Sequence, residues 1–168
     1  MKKVMAALLT MCLLAGGVVA QPYRKTVEFS LNIGVQTPIR NGSLFSQIAG
    51  TLDVRLGINL SRSFQVSPEF LYAMSSEWPF ELFKYGYTYP GVVLNYRAKN
   101  FFVGAGLVFP HYFEPGVSDS GHPAPKLNVG YGTRHLLLTL YMIVSTTESA
   151  NRLNLNEDSL GATVGYRF

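Results

Sequence analysis

The sequence is poor in cysteine, in charge and in long apolar runs. It has 168 residues, of which 14% are charged and one, Cys12, is a cysteine. Residues 21–168 contain no cysteine, which excludes disulfides, thiolate zinc sites and cysteine nucleophiles from that part of the chain. No segment reaches the roughly 18–20 uninterrupted apolar residues of a membrane helix, so the pattern excludes a helical membrane protein.

The basic residues are not clustered, although the formal net charge is +4. Nucleic-acid binding requires a basic patch, so this class of protein is excluded. A composition that is 48% hydrophobic excludes a disordered chain. The length leaves room for one domain.

The first twenty residues have the parts of a secretory signal peptide. Two lysines precede an apolar core from Val4 to Leu14, and small residues follow as far as Ala20. This order predicts cleavage before Gln21. We therefore expect residues 1–20 to be a signal peptide and residues 21–168 to be one domain.

Eight segments then alternate apolar and polar residues with a period of two, which is typical of β-strands. In the first, the apolar series Val27 to Val35 alternates with the polar series Glu28 to Gln36. The predicted strands are roughly 26–36, 52–60, 64–74, 85–97, 101–109, 126–133, 136–146 and 160–168. Pro68 interrupts the third and predicts a bulge or bend there. The seventh also fits a short buried helix.

The connections alternate in length. Those after the second, fourth and sixth strands are brief, and those after the first, third, fifth and seventh are long. This spacing predicts an antiparallel meander of four hairpins. The long connections are rich in acidic residues, which could hold divalent cations that bridge lipopolysaccharide phosphates. The brief turns are basic, with Arg62, Arg97, Lys99 and Arg134.

The polar face of the strands differs from the surface of a soluble sheet. It is made of Gly, Asn, Ser and Thr with isolated charges, whereas soluble surfaces are rich in Lys and Glu. The apolar face is bulky and uncharged, as expected against hydrocarbon, where Arg or Lys at mid-depth costs about 2–4 kcal/mol. Aromatic residues at both ends of the strands are typical of two membrane interfaces. We therefore predict that the apolar face points outward to lipid.

Closure follows from the hydrogen bonds of the backbone. In lipid an open sheet edge has no water to bond, so the first strand must pair with the eighth. The fold class is thus an all-β, eight-stranded, antiparallel up-and-down transmembrane β-barrel. An even number of strands puts both termini on one side of the membrane, the periplasmic side.

The last nine residues carry the most specific motif, Leu160-x-Ala162-x-Val164-x-Tyr166-x-Phe168. With this ending the chain resembles the small eight-stranded outer-membrane β-barrels of Gram-negative bacteria, of the OmpA/OmpX type. The resemblance implies that Leu160, Val164, Tyr166 and Phe168 form a signal for the outer-membrane assembly machinery. The same residues also fit a lipid-facing girdle, and both roles are compatible.

The resemblance further implies a location and partners. It places the protein in the outer membrane as a monomer among membrane lipids and lipopolysaccharide, with long loops available to an extracellular partner. The Ala20-Gln21 junction and the Gly-Tyr-Arg-Phe ending are also similar to barrels of Bacteroidetes type.

A barrel of eight strands is just wide enough for its own side chains, so we expect no wide pore. The charged residues predicted to point inward are Glu28, Asp53, Arg55, Glu69, Lys126 and Arg167. Buried charges need partners, so these six predict a network of ion pairs and hydrogen bonds, with a proton or ion path as the alternative. Asn95 and Arg97 belong to the polar face of the fourth strand. Inward Gly104 and Gly106 predict room for tyrosine rings of that strand.

The histidines are the candidates for chemistry. His111, Glu114, Asp119 and His122 share the connection between the fifth and sixth strands and would form a metal or acid–base cluster, although the spacing matches no sharp motif. Lipid A deacylases carry a His-x-Ser-Asn motif, which no histidine here has. We therefore predict no catalytic site and no cofactor. A lipid A-modifying barrel enzyme and a soluble exported β-barrel that binds a small ligand remain alternatives.

Overall fold

The computed structural model describes residues 27–39, 48–74, 86–144 and 158–168. The predicted signal peptide, residues 1–20, lies outside these ranges. Within them, no helix is long and apolar enough to cross a membrane.

Ten strands form in the described residues. They are β1 (Val27–Pro38), β2 (Ala49–Asn59), β3 (Phe64–Met74), β4 (Gly86–Ala98), β5 (Phe101–Val108), β6 (His111–Glu114), β7 (Val117–Ser120), β8 (Ala124–Gly132), β9 (Leu136–Ile143) and β10 (Ser159–Arg167). Eight of them, all except β6 and β7, form the barrel. Each of the eight pairs antiparallel with two others of the eight.

The barrel closes between the first and last strands. The register of β1 with β10 runs from Ser30 opposite Arg167 to Pro38 opposite Ser159. The pairing of β3 with β4 completes the circle, so none of the eight strands is left as an edge. The predicted eight-stranded up-and-down barrel is therefore confirmed.

The strands bury their polar face and expose their apolar face. Leu31, Leu56, Leu138 and Val164 have exposed fractions of 40–42%, whereas Asn32 is completely buried. A soluble barrel has the opposite arrangement, with its apolar side chains in the centre. The predicted direction of the two faces is therefore confirmed.

The brief turns are held by local hydrogen bonds. After β2, the Ser61 hydroxyl accepts from the backbone N–H of Phe64 at 3.0 Å. After β8, the hydroxyl of Thr133 accepts from the N–H of Leu136, also at 3.0 Å. Lys99, between β4 and β5, has φ of 57°, the left-handed conformation that a tight hairpin turn requires.

The long connection after β5 contains a hairpin that the periodicity did not predict. Strands β6 and β7 pair with each other, and β6 also pairs with the first residues of β4. The hairpin turns at Gly116, whose φ of 84° suits glycine. At its base, the N–H of Gly121 donates to the carbonyl of Pro110 at 2.8 Å, which joins the two sides where the regular ladder stops.

The expected bulge at Pro68 is absent, and the seventh segment is the strand that its alternation predicts. Pro68 lies opposite Val92, and the register of β2 with β3 is the same before and after it, so there is no bulge. The ladder to β2 has a gap opposite Pro68, as expected for a residue without an N–H. The seventh segment is a strand, β9, rather than a buried helix.

Candidate functional site

The inward charges form two groups in the lumen. We call Asp53, Arg55, Glu69 and Lys126 the central cluster. We call Glu28, Arg97 and Arg167 the rim cluster, because they lie at the ends of their strands nearest the brief turns. All seven side chains are buried.

The central cluster is a chain of ion pairs between three strands. Arg55 Nη2 lies 2.6 Å from Asp53 Oδ2, and Arg55 Nε lies 3.3 Å from Glu69 Oε2. The other carboxylate oxygen of Glu69 is 2.5 Å from Lys126 Nζ, which also lies 4.6 Å from the centre of the Tyr141 ring. Two carboxylates face two cations, so the cluster is formally neutral.

Neutral polar groups surround the central cluster. Arg55 Nη1 donates to the Thr139 hydroxyl at 3.3 Å, and Asn32 Nδ2 donates to Asp53 Oδ2 at 3.3 Å. Asn32 fits because Gly165 lies opposite it, where any Cβ would collide with its amide oxygen. The glycine on the inward face thus makes space for a hydrogen-bonding side chain.

The rim cluster centres on one carboxylate. Glu28 Oε2 is 3.0 Å from Arg97 Nη1 and 3.4 Å from Arg167 Nε. Asn59 Nδ2 donates to Glu28 Oε1 at 3.1 Å, and Gln65 Nε2 donates to Oε2 at 3.3 Å. Arg97 Nη2 donates to Gln65 Oε1 at 2.5 Å, which links the cation to the amide.

The structure brings together all six residues proposed from the sequence for the lumen, in these two clusters. Arg97 joins them, as its predicted place on the polar face of the fourth strand indicates; only its count among the residues of the brief turns is wrong, because β4 extends to Ala98 and keeps Arg97 on its inward face. Arg97 lies two residues after Asn95, and residues two apart in a strand share a face, so the sequence indicates that its side chain points into the lumen.

An apolar layer fills the lumen at the end of the long connections. Its buried members are Leu71, Ala73, Tyr89, Val108, Ala124, Tyr141 and Ile143. Gln36 joins two of them, because its Nε2 donates to the Tyr89 hydroxyl at 3.2 Å and its Oε1 accepts from the Tyr141 hydroxyl at 3.0 Å. Side chains from opposite walls therefore meet across the barrel.

The inward glycines of β5 do not serve tyrosine rings, as the sequence had suggested. A Cβ on Gly104 would meet the amide oxygens of Asn95 and Asn128, and one on Gly106 would meet the backbone of β4. Gly161, on β10, makes room for the ring of Tyr141, and Gly86, on β4, makes room for the ring of Tyr72.

A cavity of about 20 Å³ lies between the two clusters. Its polar lining comes from Glu28, Ser30, Arg55, Gln65, Ser67, Asn95, Arg97 and Arg167, and its apolar lining includes Phe102 and Leu137. A space of this size holds about one water molecule.

The hairpin of β6 and β7 is attached to the barrel by aromatic contacts. The rings of Tyr87 and Tyr112 are 5.0 Å apart, and those of Tyr72 and Phe113 are 6.0 Å apart. The neighbours of Tyr72 on β3 point into the lumen, so the Tyr72 side chain points outward. Phe113 covers it there. His111 lies on the same outer face as Phe113.

His111 is held by two serines across the hairpin. Its Nδ1 is 2.8 Å from Ser120 Oγ, and its Nε2 is 3.1 Å from Ser118 Oγ. Asp119, on the other face, accepts from the N–H of Ser120. Among the described side chains, no group of three or more His, Cys, Asp and Glu is placed to hold a metal ion. The Glu114 side chain is outside that description.

The outer face carries aromatic groups at the end of the brief turns. The ring of Phe168 is 5.6 Å from that of Phe29 and 4.9 Å from that of Tyr166, and Tyr166 stacks on His135. The four residues proposed as an assembly signal, Leu160, Val164, Tyr166 and Phe168, all lie on this outer face and are exposed.

Comparison with known proteins identifies the architecture. No family model matches the chain, and no curated protein matches it. Among solved structures, Neisserial surface protein A superposes with a TM-score of 0.55 at 9% identity, over 85% of this chain and 96% of the other. The chain has the fold of a small outer-membrane β-barrel.

Two further outer-membrane barrels match with lower scores. Ail, the attachment invasion locus protein of Yersinia pestis, was solved in complex with the heparin analogue sucrose octasulfate; it is 15% identical, with a TM-score of 0.45 over 86% of this chain and 100% of its own. The N-terminal β-barrel domain of Pseudomonas aeruginosa OprF is 12% identical, with a TM-score of 0.48. The match covers 86% of the present chain and 98% of the OprF domain.

Proposed function

We propose that this protein is an integral outer-membrane β-barrel with a structural and surface-interaction role and no catalytic activity. The observation that carries this proposal is the outer face. Its exposed large apolar side chains have exposed fractions from 36% to 63% and surround the closed sheet. Soluble monomers rarely expose a contiguous apolar patch of more than a few hundred Å², so this surface requires a hydrocarbon environment.

The chain path supports the proposed orientation. The first residue of β1 and the last residue of β10 lie at the same end of the barrel as the brief turns, and we assign this end to the periplasm. The long connections and the hairpin then face the outside of the cell. In this orientation the exposed C-terminal motif, Leu160 to Phe168, is presented at the periplasmic interface, where assembly machinery would bind it.

The surface-interaction role is assigned to the hairpin. Apart from Phe113, which covers Tyr72, its outer face is polar, with His111, Ser118 and Ser120. The outer face of the barrel strands is apolar by contrast, so we place the hairpin above the membrane. β7 pairs with β6 alone among the described strands. Its other edge has backbone groups that can pair with an extended segment of an extracellular partner.

The absence of cysteine from residues 21–168 allows a direct test of orientation. Single cysteines replace two exposed residues, Pro115 at the hairpin tip and Arg62 in a brief turn. A membrane-impermeant maleimide added to intact cells is expected to label the Pro115→Cys variant and to label Arg62→Cys only after lysis. Labelling of Arg62→Cys alone on intact cells would invert the orientation.

Two measurements separate this proposal from the alternatives. A soluble barrel that binds a ligand would remain in the aqueous phase when membranes are separated, whereas the barrel proposed here should be found with the outer membrane and show heat-modifiable gel mobility. A lipid A-modifying enzyme would change the mass of lipid A when its gene is deleted. We expect no such change.

A further inference from the structure

We propose that the end of the barrel with the brief turns binds the phosphate groups of anionic phospholipids in the inner leaflet of the outer membrane. This inference rests on the proposed function and orientation. Each of the three brief turns has an exposed cation, namely Arg62 after β2, Lys99 after β4 and Arg134 after β8. We call these three residues the cation ring.

The members of the cation ring have the same place in all three turns. One polar residue follows each cation, and the next residue begins a strand: Phe64 begins β3, Phe101 begins β5 and Leu136 begins β9. These three first residues point outward, with exposed fractions of 45%, 63% and 42%. Each cation is therefore two residues, or about 7 Å of chain, beyond the edge of the apolar outer face.

Aromatic rings mark this edge as a membrane interface. The ring centres of Phe64 and Tyr96 are 5.4 Å apart, and those of Phe101 and Tyr131 are 5.2 Å apart. Aromatic side chains are enriched where the acyl chains meet the headgroups, and Lys and Arg extend from there with their charge in the polar layer. The cation ring therefore lies at the level of the lipid phosphates.

The acidic residues of the chain lie away from the cation ring. Three of the ten are buried in the lumen, and three lie at the opposite end of the barrel, in β6, in β7 and just before β10. The other four belong to the long connections and are each within five residues of a barrel strand at that opposite end: Glu77, Glu81, Glu148 and Glu157. Five residues span at most about 18 Å. Even the shortest barrel strands, with 8 residues, are roughly 26 Å long, so these carboxylates do not compete with phosphate for the cation ring.

The length of the turns favours lipid over the cell wall as the partner. The brief turns have between two and four residues between strands, so they hold the cations beside the aromatic rings and do not extend into the periplasm. Each Lys or Arg close to an anionic membrane surface strengthens binding about fivefold.

The test measures which lipid contacts the folded protein. The wild type is refolded into phosphatidylcholine vesicles that contain a trace of spin-labelled phosphatidylglycerol or spin-labelled phosphatidylcholine, and the immobilised fraction of each label is measured. We expect phosphatidylglycerol to associate about two- to fivefold more strongly, and we expect high salt to remove this preference, because salt screens exposed charges.

Three outcomes would overturn the proposal. Equal association of the two lipids with a barrel that shows heat-modifiable mobility would refute the lipid site and leave the proposed function intact. A preference that high salt leaves unchanged would show that charge does not cause it. A protein that does not enter the vesicles would contradict the proposed function as well.

Matched variants locate the preference. The ring variant combines Arg62→Gln, Lys99→Asn and Arg134→Gln; asparagine suits position 99 because φ is 57° there. We expect this variant to be as stable as the wild type in phosphatidylcholine alone, since its substitutions lie in exposed turns, and to associate equally with both lipids.

The control removes three positive charges from the long connections, through Arg40→Gln, Lys84→Gln and Arg152→Gln. It should keep the wild-type preference for phosphatidylglycerol. An equal loss of preference in both variants would assign the effect to net charge and refute the cation ring. If the ring variant does not fold, the salt titration of the wild type decides.

Discussion

Replacing Arg55 by alanine should destabilise the barrel strongly. Arg55 is the member of the central cluster that contacts both Asp53 and Glu69, at 2.6 and 3.3 Å, and it also donates to the Thr139 hydroxyl. Without it, two buried carboxylates share the single ammonium of Lys126. Removing one partner of a buried ion pair costs about 3–5 kcal/mol, because the opposite charge remains buried.

The assay is reversible urea unfolding of the protein in a fixed detergent or lipid, followed by circular dichroism and by gel mobility. Arg62→Ala is the control, since Arg62 is exposed in the turn after β2 and should change the free energy of unfolding by less than about 0.5 kcal/mol. A free energy of unfolding for Arg55→Ala within that same margin would refute the network as a stabilising element.

A double variant tests the reason for the loss. Asp53→Asn combined with Arg55→Met leaves Glu69 and Lys126 as one neutral pair, at the 2.5 Å separation seen here. Because the excess negative charge is gone, the double variant should be more stable than Arg55→Met alone, although it has lost more polar contacts. A double variant as unstable as the single one would show that packing, rather than charge, explains the effect.

Three further changes have defined outcomes. Gly104→Ala places a Cβ against two amide oxygens and the side chain of Val93, so it should cost about 1–3 kcal/mol by urea unfolding, whereas Ala105→Ser on the outer face should be nearly neutral. Leu138→Arg on the outer face should cost about 2–4 kcal/mol of unfolding free energy in bilayers if the residue lies near mid-depth, and a neutral result there would contradict lipid contact. Gln36→Leu removes hydrogen bonds to two buried tyrosine hydroxyls and should cost about 1–3 kcal/mol; an unchanged urea midpoint would show that other groups satisfy them.

The residues that contact each other in the lumen are far apart in the sequence. Glu69 and Lys126 are 57 residues apart, and Glu28 and Arg97 are 69 residues apart. Alternation identifies which side chains share the lumen, since the strand period is two. It does not identify partners, because these depend on the register and on which strands face each other across the barrel.

The hairpin shows a second limit, because the formation of short strands depends on pairing with neighbours rather than on local pattern. Strands β6 and β7 are only four residues each and are bounded by Pro110 and Gly121, so their sequence is typical of a loop. They form because β4 and the aromatic rings of Tyr72 and Tyr87 provide a surface on which they pair.

The sequence by itself determined the class of fold and the direction of its two faces. The reason is that an uncharged, bulky apolar face suits hydrocarbon, whereas a polar face of Gly, Asn, Ser and Thr with few charges suits a packed lumen. Only the tertiary structure decided how the charges divide into a formally neutral central cluster and a rim cluster around Glu28. That division arises from side chains of different strands that meet across a closed barrel.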